Sequence, residues 1–199
     1  MASTPSTSPR AWGDHPAIQI LGSPTAERLS IVSFVVTSPS GRYLHHNVVV
    51  AILNDLFGIQ VRGGCSCAGP YGHRLLGIDL ERSQEFEREI ASGCEGIKPG
   101  WARVSFNYFI SEAVFRYLVD AVSLIADQGY KLVPHYRFSP DTGLWRHESG
   151  IVEPPLRLNQ MRFDDGGSLT FPRRDDHAPE SALADYLAEA RALFDSLPD

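Results

Sequence analysis

No stretch of this 199-residue sequence is apolar for long enough to cross a bilayer. Its longest apolar runs, residues 29–36 and 48–53, are far shorter than the roughly 20 residues a spanning helix needs, so no membrane partner is expected. A basic surplus is missing too: 18 Lys and Arg stand against 24 Asp and Glu, a net charge of −6, and the pair Arg173-Arg174 is answered by Asp175-Asp176. That balance excludes the positive field that tracks phosphate backbones, and with it nucleic acid as a partner. Residues 1–10 lack a basic segment followed by an apolar one, so they do not read as a secretory signal and the cytoplasm is the expected compartment. Cysteine is scarce and odd in number: Cys65, Cys67 and Cys94 cannot complete an even disulfide framework, and a reducing compartment leaves them as thiols, thiolates or metal ligands. Lysine is scarcer still, limited to Lys98 and Lys131.

The regular alternation of strand and helix that builds a parallel sheet is absent as well. What remains is a chain with 43% hydrophobic content, enough for one sizeable core. Residues 17–21 and 29–36 read as short strands separated by a Gly22-Ser23-Pro24 turn. From 45 to 57, Val48, Val49, Ile52, Leu53 and Leu56 recur at helical spacing, and Gly58 sits where a left-handed cap ends a helix. Residues 59–62 are β-like and run into Gly63-Gly64, which permits a sharp reversal or the close approach of another group to the backbone. A charged helix is expected over 83–92 and a central strand over 102–109.

The helix from Ser111 to Gly129 carries Val114, Phe115, Leu118, Ala121, Val122 and Ile125 on one face. These elements predict an α+β fold, a small antiparallel or mixed sheet covered by helices in two layers. The domain is expected over residues 15–138, behind a disordered leader at 1–14. Residues 139–199 read as an extended, Gly- and Pro-rich tail followed by a terminal amphipathic helix bearing Leu183, Leu187, Ala190 and Phe194.

Chemistry concentrates between Val61 and His73, where Arg62, Cys65, Cys67 and His73 share one Gly-rich loop. A cysteine beside a cationic arginine and exposed backbone N–H groups gains thiolate character, which is what a nucleophile needs; the bland alternative is an inert cysteine on a tight turn. Cys65, Cys67, His73 and Cys94 also supply the donor types of a tetrahedral zinc site, but C-x-C is tighter than a usual zinc knuckle and no second pair matches, so no metal is expected. Arg103 alternates with Val104 and Phe106 on its strand, which makes it either a carboxylate clamp or a solvated strand residue. His45-His46 opens a helix, where an imidazole serves more often as a local hydrogen-bond partner than as a catalyst.

A strand ending in Val61-Arg62, a Gly-rich turn, Cys67-Ala68-x-Pro70, and later Arg103-Val104-Ser105-Phe106-Asn107-Tyr108 leading into a helix follow one another in this chain. That order resembles the C-terminal small domain of class V aminotransferases, a family of fold-type I pyridoxal-phosphate enzymes. The branch it is most similar to holds cysteine desulfurases, selenocysteine lyases and isopenicillin N epimerase-like proteins. The resemblance covers about residues 15–130. It implies that Arg103 pairs with the α-carboxylate of an amino-acid substrate and that Arg62 lines the same pocket. It also implies that Cys67 stands where one desulfurase group keeps its sulfur-accepting cysteine, although Cys65 and Ser66 occupy positions where the family often carries histidines.

The family forms its Schiff base through a lysine of its large domain, in a Ser-x-His-Lys type of setting. Neither Lys98 nor Lys131 lies in such a setting. The resemblance therefore implies a small-domain fragment that binds no pyridoxal phosphate by itself, is inactive alone, and acts with a large-domain chain or as a homodimer. The alternative from a different class is a thiol module in which Cys65 and Cys67 accept persulfide or a metal without pyridoxal phosphate.

Overall fold

A computed structural model describes residues 12–198 apart from 24, 28, 65–68, 151–156 and 173–177. The fold is α+β. Its main sheet is antiparallel throughout, in the order β1 (Ile18–Ile20), β2 (Ile31–Val36), β4 (Trp101–Ser105), β3 (Arg62–Gly64). Alternation along the strands separates two faces. Val32, Phe34, Val36, Ala102 and Val104 point into the main core, while Ser33, Val35, Trp101 and Arg103 belong to the opposite face.

Three helices cover the core face: α1 (His46–Phe57), α4 (Glu112–Gln128) and α5 (Leu183–Ser196). Gly58 caps α1 in the left-handed conformation, φ +64°, as its position predicts. Ser111 caps α4 by accepting the Val114 N–H, and Tyr117 Oη of α4 donates to the Phe57 carbonyl at 2.8 Å, tying α4 to the end of α1. The terminal helix docks on this same core: Leu187, Ala190 and Phe194 are buried together with α1 and α4 residues.

Several elements differ from the sequence expectation. Trp12, within the expected leader, is fully buried, packs at a tilt against Phe34 and Phe106, and donates to the Val119 carbonyl. The charged helix α3 runs Leu80–Ala91, three residues earlier than expected, because the Asp79 carboxylate caps it by accepting the Arg82 N–H at 2.8 Å. Helix α2 (Gly69–Leu76) takes up the end of the stretch read as a glycine-rich loop and continues past His73. Gly129 does not reverse the chain: it stays right-handed, and α4 tightens into a 3-10 turn, Gly129–His135. A Cβ there would meet Ile125 Cγ2 at 2.8 Å, so close packing is what calls for glycine.

Within the expected tail lies a hairpin of β5 (Tyr136–Ser139) and β6 (Leu144–His147), and this hairpin straddles the boundary expected at 138. A second, smaller hairpin pairs β7 (Arg162–Phe163) with β8 (Leu169–Thr170).

Candidate functional site

The antiparallel register places Arg62 of β3 directly opposite Arg103 of β4, and Arg103 directly opposite Ser33 of β2. Residues paired this way share a sheet face. The three therefore form a row, serine then arginine then arginine, on the face turned away from the main core. Arg62 is exposed and Arg103 half-buried. Neither guanidinium has an ion-pair or hydrogen-bond partner among the described residues. Like charges directly opposite on neighbouring strands cost a few tenths to about 1 kcal/mol, a cost an anion bound between them would remove.

This face is only partly covered. At one end Leu21, Val35 and Trp101 form a small buried cluster under Leu75 and Leu76 of α2. α2 sits there with Gly72 over the Trp101 ring, where a Cβ would make only ordinary contact. At the other end Ile31 is 37% exposed, and the chain leaving β4 presents Tyr108 and Phe109 as an edge-to-face pair, 96% and 71% exposed. Leu29 adds to this rim at 78% exposure. The arginine row thus lies between a buried patch and an apolar, aromatic rim.

From the core side, α1 approaches the arginine strand closely. A Cβ on Gly63 would lie 2.6 Å from Asn47 Oδ1 and 2.9 Å from Val50 Cγ2, so the backbone approach anticipated at Gly63-Gly64 is that of α1. Gly100 makes room first for the Gly64 backbone of β3, whose carbonyl carbon would stand 2.6 Å from a Cβ there, and then for His46 Cε1 at 2.8 Å. Glycines at these two positions let the first turn of α1 seat β3 against β4 and so fix the height of Arg62.

The histidines at that turn do structural work. His45 Nδ1 accepts both the Asn47 N–H and the Trp145 indole N–H, each at 3.1 Å. Its proton must then reside on Nε2, which lies 2.7 Å from the Gly96 carbonyl it donates to. His46 stacks on His45 at 4.3 Å between ring centres. Burial holds the His45 imidazole below the usual histidine range, and burial reinforced by His45 pushes His46 down to about 4. Both rings are therefore neutral at pH 7.

Of the other residues singled out from the sequence, Cys67 lies outside the described residues, as do Cys65 and Ser66. His73 falls in the last turn of α2 and lines a shallow concavity of about 440 Å³ with Phe86 and Ile90 of α3. Cys94 is a half-buried free thiol preceding the 3-10 turn Glu95–Ile97. Lys98 is ion-paired with Glu95, and Lys131 belongs to the turn Gly129–His135 on the helical side. Among the described residues no set of three or more His, Cys, Asp or Glu is placed to hold a metal ion.

Alternation identifies Arg103 as a face residue but does not reveal its register with Ser33 and Arg62, and nothing local signals that His45 anchors a hairpin a hundred residues away. No family model, curated protein or solved structure matches the chain.

Proposed function

We propose that this chain supplies the small-domain half of a pyridoxal-phosphate active site of the class V aminotransferase and cysteine desulfurase type, acting on an amino-acid substrate. The observation that carries the reading is the cross-strand pair Arg62 and Arg103 on a sheet face with an apolar rim. Two planar forks side by side suit a carboxylate, since each charge-assisted hydrogen bond contributes about 1.5–3 kcal/mol where an exposed lysine contact contributes less. Arg103, the more buried of the two, takes the role of the α-carboxylate clamp, and Arg62 lines the same pocket.

The residues around this pair do not themselves make a seat for the cofactor. Neither β3 nor β4 carries a lysine, and Lys98 is engaged by Glu95. The aldehyde carbon would need a lysine from another stretch of polypeptide, so no step through the cofactor is assigned to this chain. Its own contribution is to bind and orient the substrate carboxylate. The rim of Leu29, Ile31, Tyr108 and Phe109 fits the same reading, because exposed apolar clusters of this kind mark interaction sites.

The test has two arms. Titrating the protein with an α-amino acid while following arginine side-chain N–H resonances should shift Arg103 and Arg62, and the shift should vanish in Arg103→Gln; an unchanged titration in that variant refutes the clamp. Adding pyridoxal phosphate and then borohydride should trap nothing saturable. A stoichiometric adduct mapped to Lys98 or Lys131 would overturn the half-site reading.

A further inference from the structure

The hairpin β5–β6 repeats the arginine pattern at a second place, independent of the first. Arg137 stands directly opposite Arg146 in its register, and both are exposed on the hairpin's outer face. The inner face carries Phe138 and Trp145, whose rings lie 4.8 Å apart and turn toward His45.

A lone two-stranded hairpin is marginal in water, yet this one is tethered at several points. Trp145 donates to His45, Asn47 Nδ2 donates to the Gly143 carbonyl at 2.7 Å, and the Gly96 N–H donates to the Pro140 carbonyl at 2.7 Å. Gly143 at the turn has φ +68°, and a Cβ on it would come within 3.3 Å of Gly96 Cα. The tethers hold two like charges side by side on a surface that is fixed before any ligand arrives, the arrangement that lowers the ordering cost of binding.

A concavity of about 540 Å³ opens over this face, lined by Arg137, Arg146, Ser139, Thr142, Leu144 and Glu148. Neither arginine has an ion-pair or hydrogen-bond partner among the described residues. The nearby carboxylate, Glu148, lies 3.0 Å from His135 Nδ1 and also interacts electrostatically with His147 and Arg137, so it competes with a ligand for the Arg137 charge.

We propose that the outer face of this hairpin is a binding site for a small doubly charged oxyanion, held between the Arg137 and Arg146 guanidinium groups. A dianion neutralises both opposed charges, whereas a monoanion leaves one in place. A phosphate and a dicarboxylate share this chemistry, and the experiment separates them.

Inorganic phosphate and succinate are each titrated at constant ionic strength and read from arginine side-chain and hairpin backbone resonances. At least one of them should shift Arg137, Arg146 and the turn 140–143 saturably, and the stronger of the two names the ligand's chemistry. Arg137→Gln and Arg146→Gln should each weaken binding about tenfold, the scale of losing one charge-assisted contact. The double substitution Arg62→Gln with Arg103→Gln should leave it intact, which keeps this site separate from the carboxylate clamp. Glu148→Gln should tighten binding by removing the competing carboxylate. Binding that survives both hairpin substitutions, that is lost with Arg62 and Arg103 instead, or that weakens in Glu148→Gln overturns the proposal.

Discussion

The Trp145 indole N–H donates to His45 Nδ1 while His45 Nε2–H donates to the Gly96 carbonyl, so one imidazole joins β6, the start of α1 and the turn before β4. Protonating Nδ1 would break its bonds to both Trp145 and Asn47. The ring is held neutral by its surroundings.

Stability should consequently fall with acid. The folded-state pKa values of His45 and His46 lie below the ordinary histidine value of 6.5, His46 at about 4. The unfolded chain therefore binds more protons as pH drops from about 6.5 toward 4, and stability is lost across that window. The His46 displacement corresponds to something on the order of 3 kcal/mol when fully expressed. Urea unfolding at pH 7, 6 and 5 measures the slope, which should shrink in His46→Asn. A flat profile between pH 7 and 5 would contradict the neutral pair.

Trp145→Phe keeps the ring packing against Phe138 and removes the indole N–H. His45 Nδ1 retains the Asn47 N–H, so the loss should be about 1 kcal/mol, the net value of one hydrogen bond. Amide exchange should accelerate first in the hairpin and leave α4 unaffected.

Gly63→Ala should cost about 1–3 kcal/mol, because a methyl cannot share the space already taken by Asn47 and Val50. Gly72→Ala, whose Cβ would make ordinary contact with Trp101, should be nearly neutral. Thermal unfolding of the two variants separates steric approach from a general dislike of alanine.

Phe194→Ala should lose about 3–5 kcal/mol, since the ring is completely buried against the main core. Leu80→Ala, on a residue 74% exposed, should stay within about 0.5 kcal/mol. Equal effects would mean that the terminal helix does not belong to the core.

Arg103→Gln should leave stability unchanged or raise it by a few tenths of a kcal/mol, because it removes one of two opposed like charges. The same substitution should abolish amino-acid carboxylate binding. A variant that loses stability instead would assign Arg103 to the framework.

Local pattern sufficed for much of the framework. The spacing of Val48, Val49, Ile52 and Leu53 defines the buried stripe of α1, Gly58 ends it, Ser111 starts α4, and Arg103 falls opposite its apolar neighbours. Each of these depends on residues within a turn or two of one another, where backbone geometry sets the period. The start of α3 was less legible, since only the folded backbone decides that the Asp79 carboxylate reaches the Arg82 N–H.

By itself, then, the sequence determined an α+β chain without a long apolar helix, with its helix faces, caps and one face-directed arginine. Tertiary structure alone decided that Arg62 opposes Arg103, that Trp12 and Phe194 enter one core, and that His45 holds a hairpin from the far end of the chain. Strand register and side-chain tethers join residues far apart in sequence, and their energies depend on which partner arrives within a few ångströms. That choice follows from packing the whole core at once and leaves no trace in local periodicity.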